Sequence, residues 1–207
     1  MSVSECLRSG ERSFLRCNVC RLCFAPKEEH LFLKEERKRY DLHENKIEDP
    51  AYREFLSPTA KAIRDRINPP AQGLDFGAGP GPALAAILRD SGYAVSLYDK
   101  FFHSDTKTLH ATYDFIVCTE TAEHFRQPRL ELLRLWGILR PKGWLALRTE
   151  LFTEEKDFPR WHYPRDPTHI SIFSPQTMQW VGRWLHAKVE FPEANLALFQ
   201  KPSTQRE

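Results

Sequence analysis

Residues 74–88, LDFGAGPGPALAAIL, place three glycines and two prolines between an apolar lead-in and an alanine- and leucine-rich run. The lead-in predicts a buried strand, and the run from Pro82 predicts a helix with Leu84 and Leu88 on one face. A turn this rich in glycine lets the backbone approach a ligand that a Cβ atom would exclude. The stretch therefore predicts a ligand-binding turn between a strand and a helix of a parallel sheet.

The rest of the chain extends this pattern. After Pro69-Pro70, short apolar runs alternate with longer helical ones, which is typical of an α/β fold with a parallel sheet between helices. Strands are predicted at 94–98, 113–119, 144–148, 188–191 and 196–199, the last two as an antiparallel pair. Helices are predicted at 49–67 with a break at Pro58, at 82–89, around Leu132, Leu135, Trp136 and Leu139 with a stop at Pro141-Lys142-Gly143, and at 174–184. We divide the chain into a leader, residues 1–48, and a core domain, residues 49–207.

Composition narrows the class of protein. The chain has 207 residues, of which 41% are hydrophobic and 28% charged, with a net charge of +2. These values predict one sizeable globular core and favour neither a nucleic acid nor a membrane as partner. The first residues lack the apolar block of a signal peptide, so we expect a cytoplasmic protein. The five cysteines are odd in number and four precede position 24, which argues against a disulfide framework.

The ligand can be inferred from the acids around the glycines. Gly77, Gly79 and Gly81 follow the spacing G-x-G-x-G, which differs from the dinucleotide and phosphate-loop patterns. Asp75 would repel a pyrophosphate but attract a cationic amino acid. Asp99, at the end of the second strand, can accept hydrogen bonds from both hydroxyls of a ribose. This combination indicates S-adenosylmethionine. An ordinary tight turn between strand and helix is the alternative.

Four segments resemble the class I S-adenosylmethionine-dependent methyltransferases: LDFGAGPG (74–81), LYD (97–99), YDFIVCTETAEHF (113–125) and LRPKGWL (139–145). The resemblance spans about residues 70–200 and implies a Rossmann-like, seven-stranded, mostly parallel sheet with a reversed last strand. It also implies a cofactor site. The cofactor-binding residues expected from it are Asp75, Gly77, Gly79, Gly81, Asp99, Phe101, Thr119 and Glu120.

One departure from the family concerns the adenine side of the site. Only fourteen residues separate Asp99 from Asp114, where the family places a helix and a third strand. We therefore expect a shortened wall, in which Phe101 or Phe102 either stacks on the base or fills the core.

A second constellation is Glu120, Glu123 and His124, which a helical turn would bring together. Its E-x-x-E-H spacing resembles ubiquinone-pathway O-methyltransferases and enzymes that methylate the 2′ oxygen of small-RNA 3′ ends. That resemblance implies a divalent metal, Mg, Mn or Zn, with a later histidine as fourth ligand, and we choose His169 over His162. In the alternative without metal, His124 or His169 is a general base for an acceptor hydroxyl.

The expected reaction is methyl transfer to a hydroxyl of a small aromatic or polyhydroxylated metabolite. Phe152, Phe158, Trp161 and Tyr163, on an insert after the fifth strand, either form a lid over a planar acceptor or pack the insert onto the sheet. RNA 2′-O-methylation and a non-catalytic cofactor-binding module remain alternatives. The sequence leaves the oligomeric state open.

The leader cysteines form a third feature. Cys17 and Cys20 have the C-x-x-C spacing of a zinc knuckle, Cys23 adds another thiol, and Cys6 could complete a four-thiolate set. The segment resembles a truncated zinc-ribbon-like leader of some bacterial methyltransferases, which implies structural zinc at Cys17 and Cys20. Reduced thiols on a helical or hairpin leader are the alternative.

Overall fold

A computed structural model gives the fold of the protein. It describes residues 3–41, 46–153 and 158–203. The strands are β1 (Val3–Ser9), β2 (Arg12–Cys17), β3 (Cys23–Phe24), β4 (Gln72–Phe76), β5 (Ala94–Tyr98), β6 (Tyr113–Thr119), β7 (Leu139–Arg148), β8 (Ser171–Ile172), β9 (Lys188–Glu193) and β10 (Leu196–Gln200). The helices are α1 (Leu33–Tyr40), α2 (Pro50–Arg64), α3 (Ala83–Asp90), α4 (Pro128–Ile138) and α5 (Pro175–Trp184). None of the described helices is long and apolar enough to cross a bilayer.

The central sheet has the strand order β5-β4-β6-β7-β10-β9. Strands β4, β5, β6 and β7 are parallel, whereas β10 runs antiparallel to both β7 and β9. The parallel sheet and the closing antiparallel pair predicted from the sequence are thus confirmed. The carboxyl ends of the four parallel strands meet at one edge, where ligands bind in folds of this kind.

The described residues contain six strands in this sheet, not the expected seven. The segment after β5 holds a bridge between Asp99 and His103 and a short 3-10 helix, Thr106–His110. Fourteen residues are too few for the helical crossover and further strand that a parallel connection needs. The segment after β5 is therefore short, as expected, and its place beside an adenine stays a prediction.

The two faces of the central sheet are covered by different helices. Phe115 and Val117 of β6 face the hydrophobic cluster that includes residues of α2 and α3. Ile116 and Cys118 face the opposite cluster, which includes residues of α4 and α5. All four side chains are buried, so β6 is a fully buried central strand, as its near-continuous apolar sequence predicts.

Two predicted boundaries are wrong. Helix α2 continues through Pro58, because Glu54, whose carbonyl would have bonded the missing N–H, is exposed to water while the next turn is held by burial of Ile63. Strand β7 begins at Leu139, before the predicted Trp144, because Leu139 already pairs with Tyr113 of β6; the register is irregular from there to the pair of Trp144 with Phe115.

The leader belongs to a second, four-stranded sheet with the order β1-β2-β3-β8. Its strand β3 pairs with β8, which lies in the core region. A third hydrophobic cluster joins Phe14, Cys23 and Ala25 of the leader to insert residues. The insert residues of this cluster are Phe152, Phe158, Trp161, Tyr163, Ile170 and Ile172. The insert aromatics therefore pack against the leader and not onto the central sheet.

Candidate active site

The glycine turn after β4 has a conformation that needs its glycines. Gly77 and Gly79 adopt positive φ angles of 81° and 62°. A Cβ atom on Gly77 would lie 2.2 Å from the Thr121 hydroxyl oxygen, whereas a Cβ on Gly79 would have no atom within 4 Å. Gly77 is thus required for packing, and Gly79 leaves open space beside the turn.

Asp99 joins this turn to the loop after β5. Its Oδ1 accepts hydrogen bonds from the backbone N–H groups of Phe101 (2.8 Å) and Phe102 (3.1 Å). Its Oδ2 accepts one from the N–H of Gly79 (3.1 Å). The carboxylate is therefore fixed at the end of β5, where the ribose of a bound nucleoside was expected.

A cavity of about 910 Å³ opens at the carboxyl edge of the sheet. Six of the predicted cofactor-binding residues line it: Gly77, Gly79, Asp99, Phe101, Thr119 and Glu120. The other two, Asp75 and Gly81, line a small pocket that shares Gly77 and Thr119 with the cavity. The structure thus brings all eight predicted residues to one place.

Asp75 is 4% exposed at the floor of this region. Burial raises the pKa of its carboxyl to about 7, against the lowering effect of a hydrogen bond from the Ala85 backbone. The carboxyl is therefore poised to ionise near neutral pH when a cation is placed beside it.

The E-x-x-E-H segment follows β6. Ala122–His124 form one turn of 3-10 helix, but Glu120 precedes this turn with a φ of 47°. The single helical turn predicted for Glu120, Glu123 and His124 is therefore wrong. Burial and the charge of Glu123 raise the pKa of the Glu120 carboxyl well above its usual range.

Glu123, His124 and His169 meet inside the cavity, and one ligand atom from each lies within 4.8 Å of the other two. Glu120 does not join this group, and its role as a ligand stays a prediction. The carboxylate of Glu123 is 1% exposed and lies beside the side chains of Glu120 and Tyr163, but neither of its oxygens forms a well-aligned hydrogen bond. A buried carboxylate so weakly satisfied is costly, so a cation or a further hydrogen-bond donor would stabilise it here.

The two imidazoles have their tautomers fixed by backbone carbonyls. Nδ1 of His124 lies 2.9 Å from the Thr168 oxygen, and Nδ1 of His169 lies 2.8 Å from the Tyr163 oxygen. Because a carbonyl only accepts, each Nδ1 must donate, and each neutral ring keeps a lone pair on Nε2. Burial lowers the pKa of His124 to about 4 and lowers that of His169 as well, so both rings are neutral at pH 7.

The leader supplies part of the cavity wall, which sequence reasoning missed. The Tyr40 ring lies 5.5 Å from that of Phe101 and 5.2 Å from that of His124, measured between centroids. Glu36, 4% exposed, forms ion pairs with Lys100 and Arg126, both of which line the cavity. Glu36 and Lys100 are 64 residues apart, and no local pattern indicates such a pair.

Other predicted residues take clear positions. Tyr163 lines the cavity and also belongs to the third hydrophobic cluster, in which Phe152, Phe158 and Trp161 lie away from the cavity. Of the two alternatives, a lid or packing of the insert, these three side chains show packing, against the leader and not the central sheet. His162 is exposed at the cavity mouth and does not belong to the group around Glu123.

The cysteine turn lies in the leader. The thiols of Cys17 and Cys20 share a hydrogen bond, and Cys23 is buried in the third hydrophobic cluster. The side chain of Cys6 lies outside the described residues. Among the described residues, the cysteines form no group of three potential metal ligands, and zinc at Cys17 and Cys20 stays a prediction.

A sequence model of the family described as "Methyltransferase domain" matches residues 48–184. No curated protein matches the chain. Among solved structures, the 1,6-didemethyltoxoflavin-N1-methyltransferase of Burkholderia thailandensis, with bound 1,6-didemethyltoxoflavin and S-adenosylhomocysteine, matches with a TM-score of 0.57 and 15% identity. The match covers 96% of this chain and 100% of that one.

Two further structures support the same fold. A methyltransferase from Archaeoglobus fulgidus matches with a TM-score of 0.52 and 18% identity, over 67% of this chain and 71% of that one. An O-methyltransferase family protein from Burkholderia thailandensis matches with a TM-score of 0.51 and 15% identity, over 82% of this chain. The match spans 64% of the length of that last protein.

Proposed function

We propose that this chain, which belongs to the methyltransferase domain family and is a class I S-adenosylmethionine-dependent methyltransferase, methylates a hydroxyl group of a small molecule. The observation that carries the proposal is the meeting of the buried Glu123 carboxylate with two imidazoles whose Nδ1 atoms are bound to backbone carbonyls, which leaves their Nε2 atoms unprotonated. The acceptor we propose is aromatic or polyhydroxylated, with two adjacent oxygens.

The cofactor end of the cavity fits S-adenosylmethionine by its chemistry. The cofactor supplies an electrophilic methyl group on a sulfonium sulfur. Asp99 offers carboxylate oxygens to ribose hydroxyls, and Asp75 offers a negative charge to the ammonium group of the methionine part. Gly79 leaves the space that such a ligand needs. Phe101 lines the short adenine side of the cavity.

The acceptor end fits a divalent cation. Glu123, His124 and His169 would hold it. The Nδ1 atoms of the two histidines are hydrogen-bonded to backbone carbonyls, which is the arrangement usual for histidine ligands. A bound ion would lower the pKa of an acceptor hydroxyl and fix two adjacent oxygens. One carboxylate and two imidazoles suit Zn or Mn better than Mg, which prefers oxygen ligands.

Without a metal, the same residues supply general-base chemistry. The Nε2 lone pair of His124 or His169 can take the proton of the acceptor hydroxyl as the methyl group is transferred. His124 and His169 act on the acceptor hydroxyl in both alternatives, as metal ligands in the first and as general base in the second. The aromatic side chains of Tyr40 and Tyr163, which lie against His124 and His169, support a planar acceptor.

Calorimetry separates the two ends of the site. Chelator-treated protein is titrated with S-adenosylhomocysteine and, separately, with Zn, Mn and Mg. We expect Asp99→Ala to lose S-adenosylhomocysteine binding and keep metal binding. We expect Glu123→Ala/His169→Ala to lose metal binding and keep S-adenosylhomocysteine binding.

The acceptor class is tested with a panel of catechols and vicinal diols, with matched monohydroxyl and amine analogues and a short RNA with a 3′ diol. Metal-stimulated methylation of the catechols supports the proposal. Methylation confined to the amines, or to the RNA, would refute the proposed acceptor. Wild-type protein that binds no metal would leave only the general-base chemistry.

A further inference from the structure

Arg12, the first residue of β2, binds the loop that carries His169. Its Nη1 donates hydrogen bonds to the carbonyl oxygens of Pro164 (2.7 Å) and Asp166. Its Nη2 donates to the carbonyl oxygen of His169 itself (2.9 Å). One guanidinium from the leader thus binds three carbonyls within residues 164–169, more than 150 residues away in sequence.

Other carbonyls of the same loop orient the two imidazoles. The Tyr163 oxygen accepts from Nδ1 of His169, and the Thr168 oxygen accepts from Nδ1 of His124. The loop backbone is therefore held by Arg12 at three of its carbonyl oxygens and by the two histidines at the carbonyl oxygens of Tyr163 and Thr168. Movement of this backbone would change which nitrogen of His169 carries the proton.

Arg12 is itself held in place. Its Nε lies 3.8 Å from Oε2 of Glu29, and Oε1 of the same carboxylate accepts a hydrogen bond from the backbone N–H of Ser13 (3.0 Å). Its guanidinium carbon lies 4.9 Å from the centroid of the Phe14 ring, and the side chain is 16% exposed. These contacts orient the Arg12 guanidinium independently of the 164–169 loop.

We infer that Arg12 is a positioning residue of the acceptor end, which fixes the 164–169 backbone so that His124 and His169 present unprotonated Nε2 atoms towards Glu123. This inference rests on the proposed role of the two histidines. A planar guanidinium is suited to the task because its five donors form a rigid fork, whereas a lysine ammonium is a single point donor on a flexible stem.

The test reads the tautomers directly. Full-length protein with ¹⁵N-labelled histidine is studied by two-bond ¹H–¹⁵N correlation NMR as wild type, Arg12→Met and Arg12→Lys. The control is Arg66→Met, which removes another partly buried arginine, one that binds the Ala62 carbonyl and Glu190 and lies over Trp144. Zinc and S-adenosylhomocysteine affinities are measured on the same samples.

We expect both histidines of the wild type to be Nδ1–H tautomers. In Arg12→Met, His169 should populate a mixture of tautomers, and zinc affinity should fall by roughly 10–100-fold. Arg12→Lys should partly restore the Nδ1–H tautomer of His169 and the zinc affinity. S-adenosylhomocysteine affinity should stay within about twofold, and Arg66→Met should match the wild type in every signal.

An unchanged His169 spectrum in folded Arg12→Met would overturn the inference. If that variant does not fold, Arg12→Lys decides, since an unchanged His169 spectrum and wild-type zinc affinity would equally overturn it. Wild-type protein that binds no zinc would refute the metal part of the proposed function, and the tautomers would still decide the role of Arg12.

Discussion

Glu123 carries a buried carboxylate that lies beside Glu120 and has no well-aligned hydrogen bond in the folded chain. We predict that Glu123→Gln lowers zinc affinity roughly tenfold or more, because a neutral amide is a poor ligand. The same change should raise the free energy of unfolding of metal-free protein by about 1–2 kcal/mol, because it removes a buried negative charge next to another carboxyl group. Calorimetry and urea unfolding measure the two effects.

Glu131→Gln is the matched control, because the Glu131 carboxylate lines the same cavity but is 26% exposed and is bound by Arg134 at 2.7 Å. It should change neither quantity by more than about 0.5 kcal/mol. A fall in the stability of metal-free Glu123→Gln would mean that the carboxylate has a stabilising partner in solution.

Asp75 makes stability depend on pH in a direction that its burial dictates. Its pKa is about 7 in the folded chain, against an ordinary value of 3.8, so the folded state binds the proton more tightly. Its contribution to stability is full below pH 4 and is lost as the pH rises to 7. We predict that Asp75→Asn gains stability relative to wild type by about 3 kcal/mol between pH 5 and 8.

Urea unfolding at several pH values, without cofactor, measures this difference. The control is Asp114, on the neighbouring strand β6, which forms an ion pair with Arg140. Hydrogen bonds lower the pKa of the Asp114 carboxyl, so Asp114→Asn should show no such gain. A constant difference between Asp75→Asn and wild type across this range would contradict the pKa assignment. In contrast to its gain in stability, Asp75→Asn should bind S-adenosylhomocysteine more weakly.

Helix α1 is attached to the cavity through Glu36. We predict that Glu36→Gln lowers the free energy of unfolding by about 1–3 kcal/mol, because it leaves Lys100 and Arg126 without their buried carboxylate. Amide hydrogen exchange within residues 33–41 should accelerate, and S-adenosylhomocysteine should bind more weakly since Lys100 follows Asp99.

The control for this helix is Glu190→Gln, which breaks the ion pair of Glu190 with Arg66 away from the cavity. It should leave exchange in α1 and cofactor affinity unchanged. Protected α1 amides in Glu36→Gln would show that hydrophobic contacts alone hold the helix.

The elements that sequence predicts well are those encoded locally. The glycine turn and Asp99 lie at strand ends, where backbone conformation and register follow from nearby residues. Six of the eight residues predicted for the cofactor line the cavity and two line the small pocket beside it, while their contact with a cofactor stays a prediction. The start of β7 was missed because its pairing with β6 is irregular between Leu139 and Trp144. The pairing of β3 with β8 was missed because no periodicity encodes which distant strands meet.

The acceptor end shows the same contrast. The E-x-x-E-H spacing and the choice of His169 correctly named the three residues that meet. The position of Glu120 was not predictable from helical spacing, because the chain enters the turn with a positive φ at that residue. Arg12 and Glu36 act across 64 residues or more, and their contacts follow only from the assembled fold.

The leader closes the third hydrophobic cluster, which gives a prediction for the whole chain. A chain shortened to residues 49–207 would expose Phe158, Trp161 and Ile172 and leave β8 without its partner strand. We predict that it loses a cooperative thermal transition or melts roughly 10 °C or more below the full chain. Calorimetry and binding of a hydrophobic dye measure the change.

Removal of residues 1–9 alone is the control, because β1 pairs with β2 at the edge of the leader sheet, away from β8. This shorter deletion should keep a cooperative transition. If residues 49–207 melted at the temperature of the full chain, the predicted division at residue 48 would mark two independently folding regions.

The Arg12 contact also fixes the order in which a growing chain can complete its site. The glycine turn and Asp99 leave the ribosome within about 25 residues of one another, so the cofactor end can assemble early. Arg12 must wait for residues 164–169, a delay on the order of ten seconds at ordinary rates of translation. During that interval the leader side of the third hydrophobic cluster, which includes Phe14, has no insert residues to pack against.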